Sequence, residues 1–195
     1  GNVASSAMTK TRLSVGGWWM KSKGPEGCGK SFAALQLAES YDYVTHSFAD
    51  PIREICRVLG ITDEYLVKDK NAMIPHLGKS ARFIMQTFGT EYARDTIKKT
   101  IWLDMMAKRL SESPHKNVCV DDVRFDNEAK LIKKLGGIVL RIKRGDTLSD
   151  NHVSEHGISD DLVDYEIDND GAVTLLFTQL TEILENESFL PRQLV

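Results

Sequence analysis

The sequence of 195 residues lacks the features that would assign it to several common classes of protein. The longest nearly uncharged apolar stretch near its start, Leu13–Met20, is far shorter than the roughly 20 residues that a membrane-spanning helix needs. The three cysteines are scattered, without a CxxC pair or a Cys/His cluster. They argue against a disulfide framework or a structural zinc site, and they favour a reducing compartment such as the cytoplasm. Internal repeats and low-complexity segments are also missing from the sequence.

The composition that remains is that of a globular protein. Hydrophobic residues make up 42% of the chain and charged residues 27%, so the sequence is too apolar for a disordered chain. The length predicts one large domain, or one domain with a lid, rather than two separate cores. Residues 1–8 look like a cloning remnant or a disordered N-terminus, with Met8 as the natural start, and 9–195 is expected to be a single domain.

Charge is distributed unevenly along the chain. Residues 1–144 carry 24 Lys and Arg against 16 Asp and Glu, or +8, whereas residues 145–195 carry 1 against 12, or −11; together they give the net charge of −3. The basic part suits a polyanionic ligand. The alternative is that the acidic part only makes the C-terminal end more soluble. An acidic C-terminal region argues against a nucleic-acid track, so we expect neither nucleic acid nor a membrane as partner.

Predicted strands alternate with predicted helices, which indicates an α/β fold with a parallel sheet covered on both faces. The strands are expected near Trp18–Lys21, Tyr43–Phe48, Asn117–Val120, Ile138–Ile142 and Tyr165–Ile167, and the helices at about Lys30–Ser40, Asp50–Leu59, Asp126–Leu135 and Ala172–Leu184. A long helical region over Lys79–Leu110 is expected to break at Gly89. Residues 62–78 are mixed and polar, and residues 144–164 are predicted to form a loop or lid.

A glycine-rich segment follows the first predicted strand. Gly24–Ser31 reads GPEGCGKS, which matches the phosphate-binding pattern G-x-x-x-x-G-K-[ST] and leads directly into a predicted helix. Glycines such as Gly24, Gly27 and Gly29 let consecutive backbone amides point at phosphate oxygens. Lys30 supplies a charge to the β and γ phosphates, and the Ser31 hydroxyl is a ligand for Mg²⁺. The alternative is a glycine turn before an unrelated helix, since the preceding strand is not continuously apolar.

Two carboxylates and an arginine follow the apolar run at residues 118–120. In open α/β sheets ligands bind beyond the carboxyl ends of the strands, so Asp121, Asp122 and Arg124 are expected near the phosphate loop. A carboxylate there suits Mg²⁺ or the orientation of an acceptor, and an arginine binds phosphate in a bidentate manner. The alternative is a solvated cluster with a local ion pair.

A third group of polar and aromatic residues lies in the long helical region. It comprises Arg82, Gln86, Gly89, Thr90, Glu91, Arg94 and Trp102. Arg82 and Gln86 are four residues apart and share a helix face. An arginine for a phosphate, an amide for a base edge and an aromatic ring for stacking are what a nucleoside monophosphate pocket needs. The alternative is an ordinary amphipathic helix with Trp102 in the core.

Several segments together resemble the bacteriophage-type deoxynucleoside monophosphate kinases. They are FADP (48–51), RFIMQTFGTEYAR (82–94), IW (101–102), VCVDDVRFDNEA (118–129), GGIVLRIKR (136–144), HVSE (152–155) and IDNDG (167–171). Their order and approximate spacing agree with that family across most of the chain. The resemblance implies a P-loop nucleoside-monophosphate-kinase-like three-layer parallel sheet. It also implies a helical acceptor-binding insertion at about 60–112 and a lid at about 144–164.

The resemblance also implies roles for individual residues. Donor phosphates and metal would be bound by Gly24, Gly27, Gly29, Lys30, Ser31 and Arg144, with Asp121 as a second metal ligand; the acceptor would be bound by Asp50, Arg82, Gln86, Gly89, Thr90, Trp102, Asp122, Arg124 and Glu128. Lys30, Arg124, Asp122 and Arg82 would be the catalytic residues. Arg141 and Arg144 lie where the family has a lid or base-clamping arginine, and His152, Ser154 and Glu155 match a motif whose role the residues do not reveal.

The activity implied is Mg²⁺-dependent transfer of the γ-phosphoryl group of ATP to a dNMP. Two alternatives stay open: another P-loop small-molecule kinase, similar to phosphomevalonate kinases, and a nucleotide-binding module without turnover. The second is motivated by the irregular strand before Gly24 and by Phe32, which stands where the family usually has Thr. The expected partners are ATP and dNMP, the expected location is the cytoplasm (of the host, for a phage protein), and a homodimer is the general prior.

Overall fold

The computed structural model describes residues 11–17, 36–114, 117–143, 158–169, 171 and 173–187. The chain divides into two compact units. The first unit comprises Gly1–Ser47 and Ser113–Val195, and the second is the continuous segment Phe48–Glu112. The predicted helical insertion of about 60–112 therefore lies within the second unit.

Seven strands occur in the part of the chain that the structure describes. They are β1 (Thr11–Gly17), β2 (Val44–His46), β3 (Met73–Ile74), β4 (Lys79–Ser80), β5 (Asn117–Val120), β6 (Ile138–Lys143) and β7 (Tyr165–Asp168). Five of them form a parallel sheet of order β2-β5-β1-β6-β7 in the first unit. The prediction of an α/β fold built on a parallel sheet is thus confirmed.

The sequences of β5 and β6 explain why these two strands lie inside the sheet. Parallel strands that are covered on both faces consist of nearly continuous apolar runs. In β5 the side chains of Val118, Cys119 and Val120 are at most 2% exposed, and in β6 Val139 and Leu140 are fully buried. Burial raises the pKa of the Cys119 thiol, which therefore stays neutral within the sheet.

Helices of the first unit pack on this sheet. The described helical segments of the unit are 36–41, Asp126–Lys134 and Val173–Asn186, with a short 3₁₀ turn at Asp160–Leu162. Their apolar side chains share one core with the strands; its fully buried members include Leu37, Cys119, Leu140, Ile167, Leu180 and Leu184. Gly136 ends the helix Asp126–Lys134 at a φ of 85°, which a glycine adopts without strain.

The second unit is mainly helical. Its helices are Asp50–Val58, Ala81–Gln86 and Ile101–Glu112, with π-helical segments at Glu64–Lys68 and Thr87–Ile97, and β3 pairs antiparallel with β4. Pro51 occupies the first turn of its helix, where the missing N–H costs nothing. A small core of Cys56, Ile61, Leu66, Ile74 and Ala81 holds the unit together.

One local expectation differs from the structure. The long helical region does not break at Gly89: it changes from α to π geometry at Thr87 and ends at Ile97, before the helix Ile101–Glu112 begins. Residues 62–78, for which the sequence predicts no helix or strand, contain the π-helical segment Glu64–Lys68 and the strand β3. The strand β1 covers Thr11–Gly17, whereas the strand expected at 18–21 lies outside the described residues.

Among the described helices, none has the length and apolar character needed to cross a membrane.

Candidate active site

The carboxyl edge of the sheet brings the predicted strand-end residues next to β1. β5 lies between β2 and β1, with Val120 paired to His46 on one side and to Ser14 on the other. The chain leaves β1 toward β2 but leaves β5 toward β6, so the two connections diverge in opposite directions. Such a switch point is where open α/β sheets bind ligands. The residues after β5 therefore lie at the edge from which β1 runs on toward the phosphate-loop sequence.

Asp121 is fixed at this edge by β2. Its Oδ1 accepts a hydrogen bond of 2.5 Å from the hydroxyl of Ser47, a residue that is only 5% exposed. The backbone N–H of Asp121 also donates to the carbonyl of His46, at 3.4 Å. The predicted metal ligand is therefore a half-buried carboxylate held in one orientation. Sequence reasoning missed Ser47, because 74 residues separate it from Asp121.

Asp122 and Arg124 flank a residue that anchors the turn. Val123 is fully buried, whereas Asp122 is half-buried and Arg124 is exposed. Because the residue between them is anchored in the core, both polar side chains are accessible and yet held close to it, as a ligand-binding turn requires.

Glu128 holds this turn from within. It is 5% exposed, and its Oε2 accepts the backbone N–H groups of Arg124 at 2.8 Å and of Phe125 at 3.2 Å. The acceptor contact that the resemblance implied for Glu128 stays a prediction, since this oxygen is already committed to the backbone.

The segment at 158–160 is attached to the same turn. Asp126 accepts the N–H of Ser159 at 2.8 Å through Oδ1 and its hydroxyl at 2.5 Å through Oδ2. These donors lower the pKa of Asp126 below its ordinary value, because they stabilise the ionised carboxylate. Sequence analysis gave no signal for this pair, whose members are 33 residues apart.

Arg141 is a structural residue rather than a lid arginine. Its side chain is 5% exposed in β6, and its guanidinium donates to Asp160 at 2.5 Å, to Glu166 at 3.0 Å and to the carbonyl of Ile158. A buried guanidinium needs such partners to offset its lost hydration. Part of the predicted lid of 144–164 is attached to the first unit, because Ile158 is buried and Asp164 accepts the N–H of Val139 at 2.8 Å. Its remaining part, 144–157, lies outside the described residues.

In the second unit, three predicted acceptor ligands share an exposed face. Arg82, Gln86 and Thr90 are spaced four residues apart and exposed, whereas Ala81, Gly89 and Ala93 are buried on the other side of the helix. The Ser80 hydroxyl caps the start of this helix by accepting the N–H of Phe83 at 3.2 Å. The predicted stripe is therefore accessible to a ligand.

Trp102, which the sequence predicted to stack on a base, is buried and hydrogen-bonded in the second unit. It is 5% exposed, and its indole N–H donates to the carbonyl of Gly89 at 2.9 Å. A Cβ on Gly89 would lie only 2.9 Å from Cδ1 of Ile52. The backbone at Gly89 can therefore pack closely against Ile52 only because Gly89 has no side chain. The structure places Trp102 in the packing of the second unit, and a contact with a nucleobase stays a prediction.

Replacing Trp102 by phenylalanine tests this packing role. We expect the free energy of unfolding in urea to fall by about 1–3 kcal/mol, because the Gly89 carbonyl loses a buried donor. The KM for the acceptor should stay within about twofold. Tyr92→Phe, at an exposed aromatic residue of the same unit, is the control and should change stability by less than about 0.5 kcal/mol. A KM that rises tenfold at unchanged stability would instead support stacking.

Asp50 begins its helix between two arginines. Its Oδ1 accepts from Arg53 at 3.4 Å and its Oδ2 from Arg109 at 3.0 Å. Arg109 was not among the predicted site residues, since it lies 59 positions away in a helix of ordinary amphipathic pattern. The carboxylate of Asp50 thus fixes two cationic side chains of the second unit, and its predicted contact with the acceptor is untested.

The remaining predicted site residues lie outside the described part of the chain. They are Gly24, Gly27, Gly29, Lys30, Ser31, Arg144, His152, Ser154 and Glu155.

Comparison with known proteins agrees with the resemblance. A family model described as deoxynucleotide monophosphate kinase matches residues 66–180. A protein of Acanthamoeba polyphaga mimivirus that carries this name is 30% identical over 187 residues, which cover 85% of this chain and 95% of the viral protein. The deoxynucleotide monophosphate kinase of Escherichia phage RB69 is 28% identical over 109 residues, or 54% of this chain and 45% of the phage protein. Dephospho-CoA kinase from Campylobacter jejuni aligns in structure with a TM-score of 0.41 and 13% identity, over 91% of this chain and 96% of that one.

Proposed function

The chain belongs to the deoxynucleotide monophosphate kinase family, and from this premise we propose that it transfers the γ-phosphoryl group of ATP to a deoxynucleoside monophosphate. The products are ADP and the deoxynucleoside diphosphate. The observation that carries this proposal is the match to the mimivirus relative over 95% of that protein's length. The placement of Asp121, Asp122 and Arg124 beside the strand that leads to GPEGCGKS supports it.

Donor and acceptor are both polyanions, so the protein's main tasks are to hold them in line and to neutralise the charge on the transferred group. Lys30 and the amides of Gly24, Gly27 and Gly29 bind the donor phosphates in this proposal. Arg124 stabilises the charge that develops on the phosphoryl group, and Arg144 assists at the donor. A three-layer arrangement with a lid belongs to the same proposal.

Acceptor binding is assigned to the exposed stripe of the second unit. Arg82 binds the acceptor phosphate, Gln86 offers an amide to the edge of the base, and Thr90 offers a hydroxyl. Because the second pKa of a phosphate monoester is about 6, the attacking oxygen is already ionised at pH 7 and no strong general base is needed. Asp122 is therefore assigned to orienting the acceptor.

The residue types of the two predicted ligands, Asp121 and Ser31, fit a magnesium ion. Mg²⁺ prefers oxygen ligands and is usually held by one or two protein groups together with phosphates. Asp121, held by Ser47, supplies a fixed carboxylate, and Ser31 supplies a hydroxyl. In the described residues no cluster of three or more His, Cys, Asp or Glu side chains is present, but a site completed by phosphates does not need one. When bound, the ion neutralises phosphate charge.

The proposed activity is tested by an acceptor screen. ADP release is measured with ATP and Mg²⁺ and, in turn, dTMP, dGMP, dCMP, dAMP and the corresponding ribonucleotides. We expect at least one deoxynucleotide to raise ADP release well above the rate with ATP alone. Mevalonate 5-phosphate is the control acceptor, and a response confined to it would indicate a different small-molecule kinase. Tight nucleotide binding by calorimetry without ADP release from any acceptor would contradict the proposal.

A further inference from the structure

Glu128 is a buried acid whose geometry exceeds that of an ordinary helix cap. It is the third residue of the helix Asp126–Lys134, from where a glutamate commonly accepts the N–H of the residue that precedes the helix, here Phe125. The same Oε2 also accepts the N–H of Arg124, and this second bond is the shorter of the two, at 2.8 Å against 3.2 Å. One oxygen thus binds two consecutive amides, one of which belongs to the predicted catalytic arginine.

The two bonds fix the backbone from which the Arg124 side chain projects. Two amides directed at one oxygen determine the orientation of the peptide planes on both sides of the Arg124 Cα atom. Its side chain is exposed, and among the described residues no acidic side chain forms an ion pair with its guanidinium. The direction in which Arg124 reaches therefore depends on the backbone, and the backbone depends on Glu128.

The next residues of the turn are held as well. Val123 is fully buried before Arg124, and Asp126 after it binds Ser159 through both carboxylate oxygens. Within the first unit the turn is therefore fixed on either side of Arg124, and Glu128 fixes the amide of Arg124 itself. Preorganisation of this kind matters for transition-state charge, since a displacement of about 1 Å can cost on the order of 10²-fold in rate.

We propose that Glu128 is a positioning residue for Arg124, which acts through the backbone of residues 124 and 125, and that it is not a ligand of the acceptor nucleotide. This inference rests on the proposed function, because it assigns a task to an arginine of the phosphoryl-transfer site.

A double-mutant cycle tests this proposal. Glu128→Ala is expected to lower kcat roughly 10- to 100-fold with the KM for dNMP and for ATP within about twofold. In the Arg124→Ala background the same replacement should change kcat less than about twofold, because the arginine that it positions is gone. Glu128→Gln keeps an oxygen for the two amides and should recover most of the lost kcat.

Asp164→Ala serves as the matched control. Asp164 is also a carboxylate of the first unit that accepts a backbone N–H, from Val139 in β6, and its loss removes an ion pair to Lys133. This replacement is expected to lower stability as Glu128→Ala does, yet to leave kcat within about twofold in both backgrounds.

Several outcomes would overturn the positioning role. One is a double variant whose loss of kcat equals the product of the losses in Glu128→Ala and Arg124→Ala. Another is a raised KM for dNMP with unchanged kcat. A third is a Glu128→Gln variant as slow as Glu128→Ala. Amide hydrogen exchange supplies a readout that does not depend on turnover. Glu128→Ala should speed exchange at Arg124 and Phe125, and unchanged exchange there would overturn the proposal by itself. A wild-type protein that phosphorylates no deoxynucleotide would instead contradict the proposed function.

Discussion

Replacing Arg124 by alanine is expected to lower kcat on the order of 10³-fold, the effect typical of a lost transition-state arginine. The reason is electrostatic: the exposed guanidinium after β5 is the cation that we assign to the transferred phosphoryl group. Lys30→Ala should cause a loss of similar size, because that ammonium neutralises the donor phosphates. Both are measured as steady-state ADP release at saturating ATP and dNMP, with circular dichroism to verify the fold.

Arg57→Ala is the control for the loss of a positive charge. Arg57 is 51% exposed, and within the described part of the chain its guanidinium forms one long surface ion pair, at 3.5 Å, with Asp63. This variant should keep kcat within about twofold. If Arg124→Ala and Lys30→Ala both retain near-normal turnover, the assignment of the active site is wrong.

Replacing Leu140 by alanine is expected to lower the free energy of unfolding by about 2–5 kcal/mol. Leu140 is fully buried in β6 and belongs to the core that joins the sheet to the helix Val173–Asn186. Its truncation removes apolar contacts and leaves a cavity between layers that cannot collapse completely. Urea denaturation of the two proteins provides the measurement, with an unchanged slope as the sign that the unfolded states are comparable.

Leu175→Ala is the matched control for this truncation. Leu175 lies in the helix Val173–Asn186 but is 50% exposed, so the same change of side chain should cost less than about 0.5 kcal/mol. Equal losses at the two positions would contradict the description of the core.

The parts of the fold that the sequence predicted correctly are those with a strong local signal. β5 was predicted with its observed bounds, because NVCV is a short apolar run between polar residues. The helix that begins at Asp50 was predicted from Asp-Pro at its start and Gly60 at its end, and Gly136 correctly indicated the end of another helix. The family resemblance rested on the longest motifs and was confirmed by comparison.

What the sequence failed to predict depends on pairing between distant segments. β1 reads TRLSVGG, which has no continuous apolar run, yet it lies between β5 and β6 because both neighbours supply hydrogen-bond partners. Pairing with neighbouring strands overrides the strand propensity of the segment itself. The π-helix at Thr87–Ile97 has no pattern by which its wider turn is recognised from sequence.

The candidate site shows the same division between local and distant information. The residue types and their order in DDVR and in the stripe at Arg82 follow from motifs. The contacts of Ser47 with Asp121 and of Ser159 with Asp126 join positions 74 and 33 residues apart, so no spacing rule reveals them. Trp102 was assigned to stacking because its type suits a base, whereas only coordinates show its N–H committed to Gly89.

The continuity of the second unit has an evolutionary consequence. Phe48–Glu112 is a single uninterrupted segment, and the strands on either side of it in the sequence, β2 and β5, are direct neighbours in the sheet. A continuous segment of this kind can be exchanged by recombination without changing how the rest of the chain is connected. Because Arg82, Gln86 and Thr90 all lie within it, replacing this one segment would change the proposed acceptor site and leave the rest of the chain unchanged.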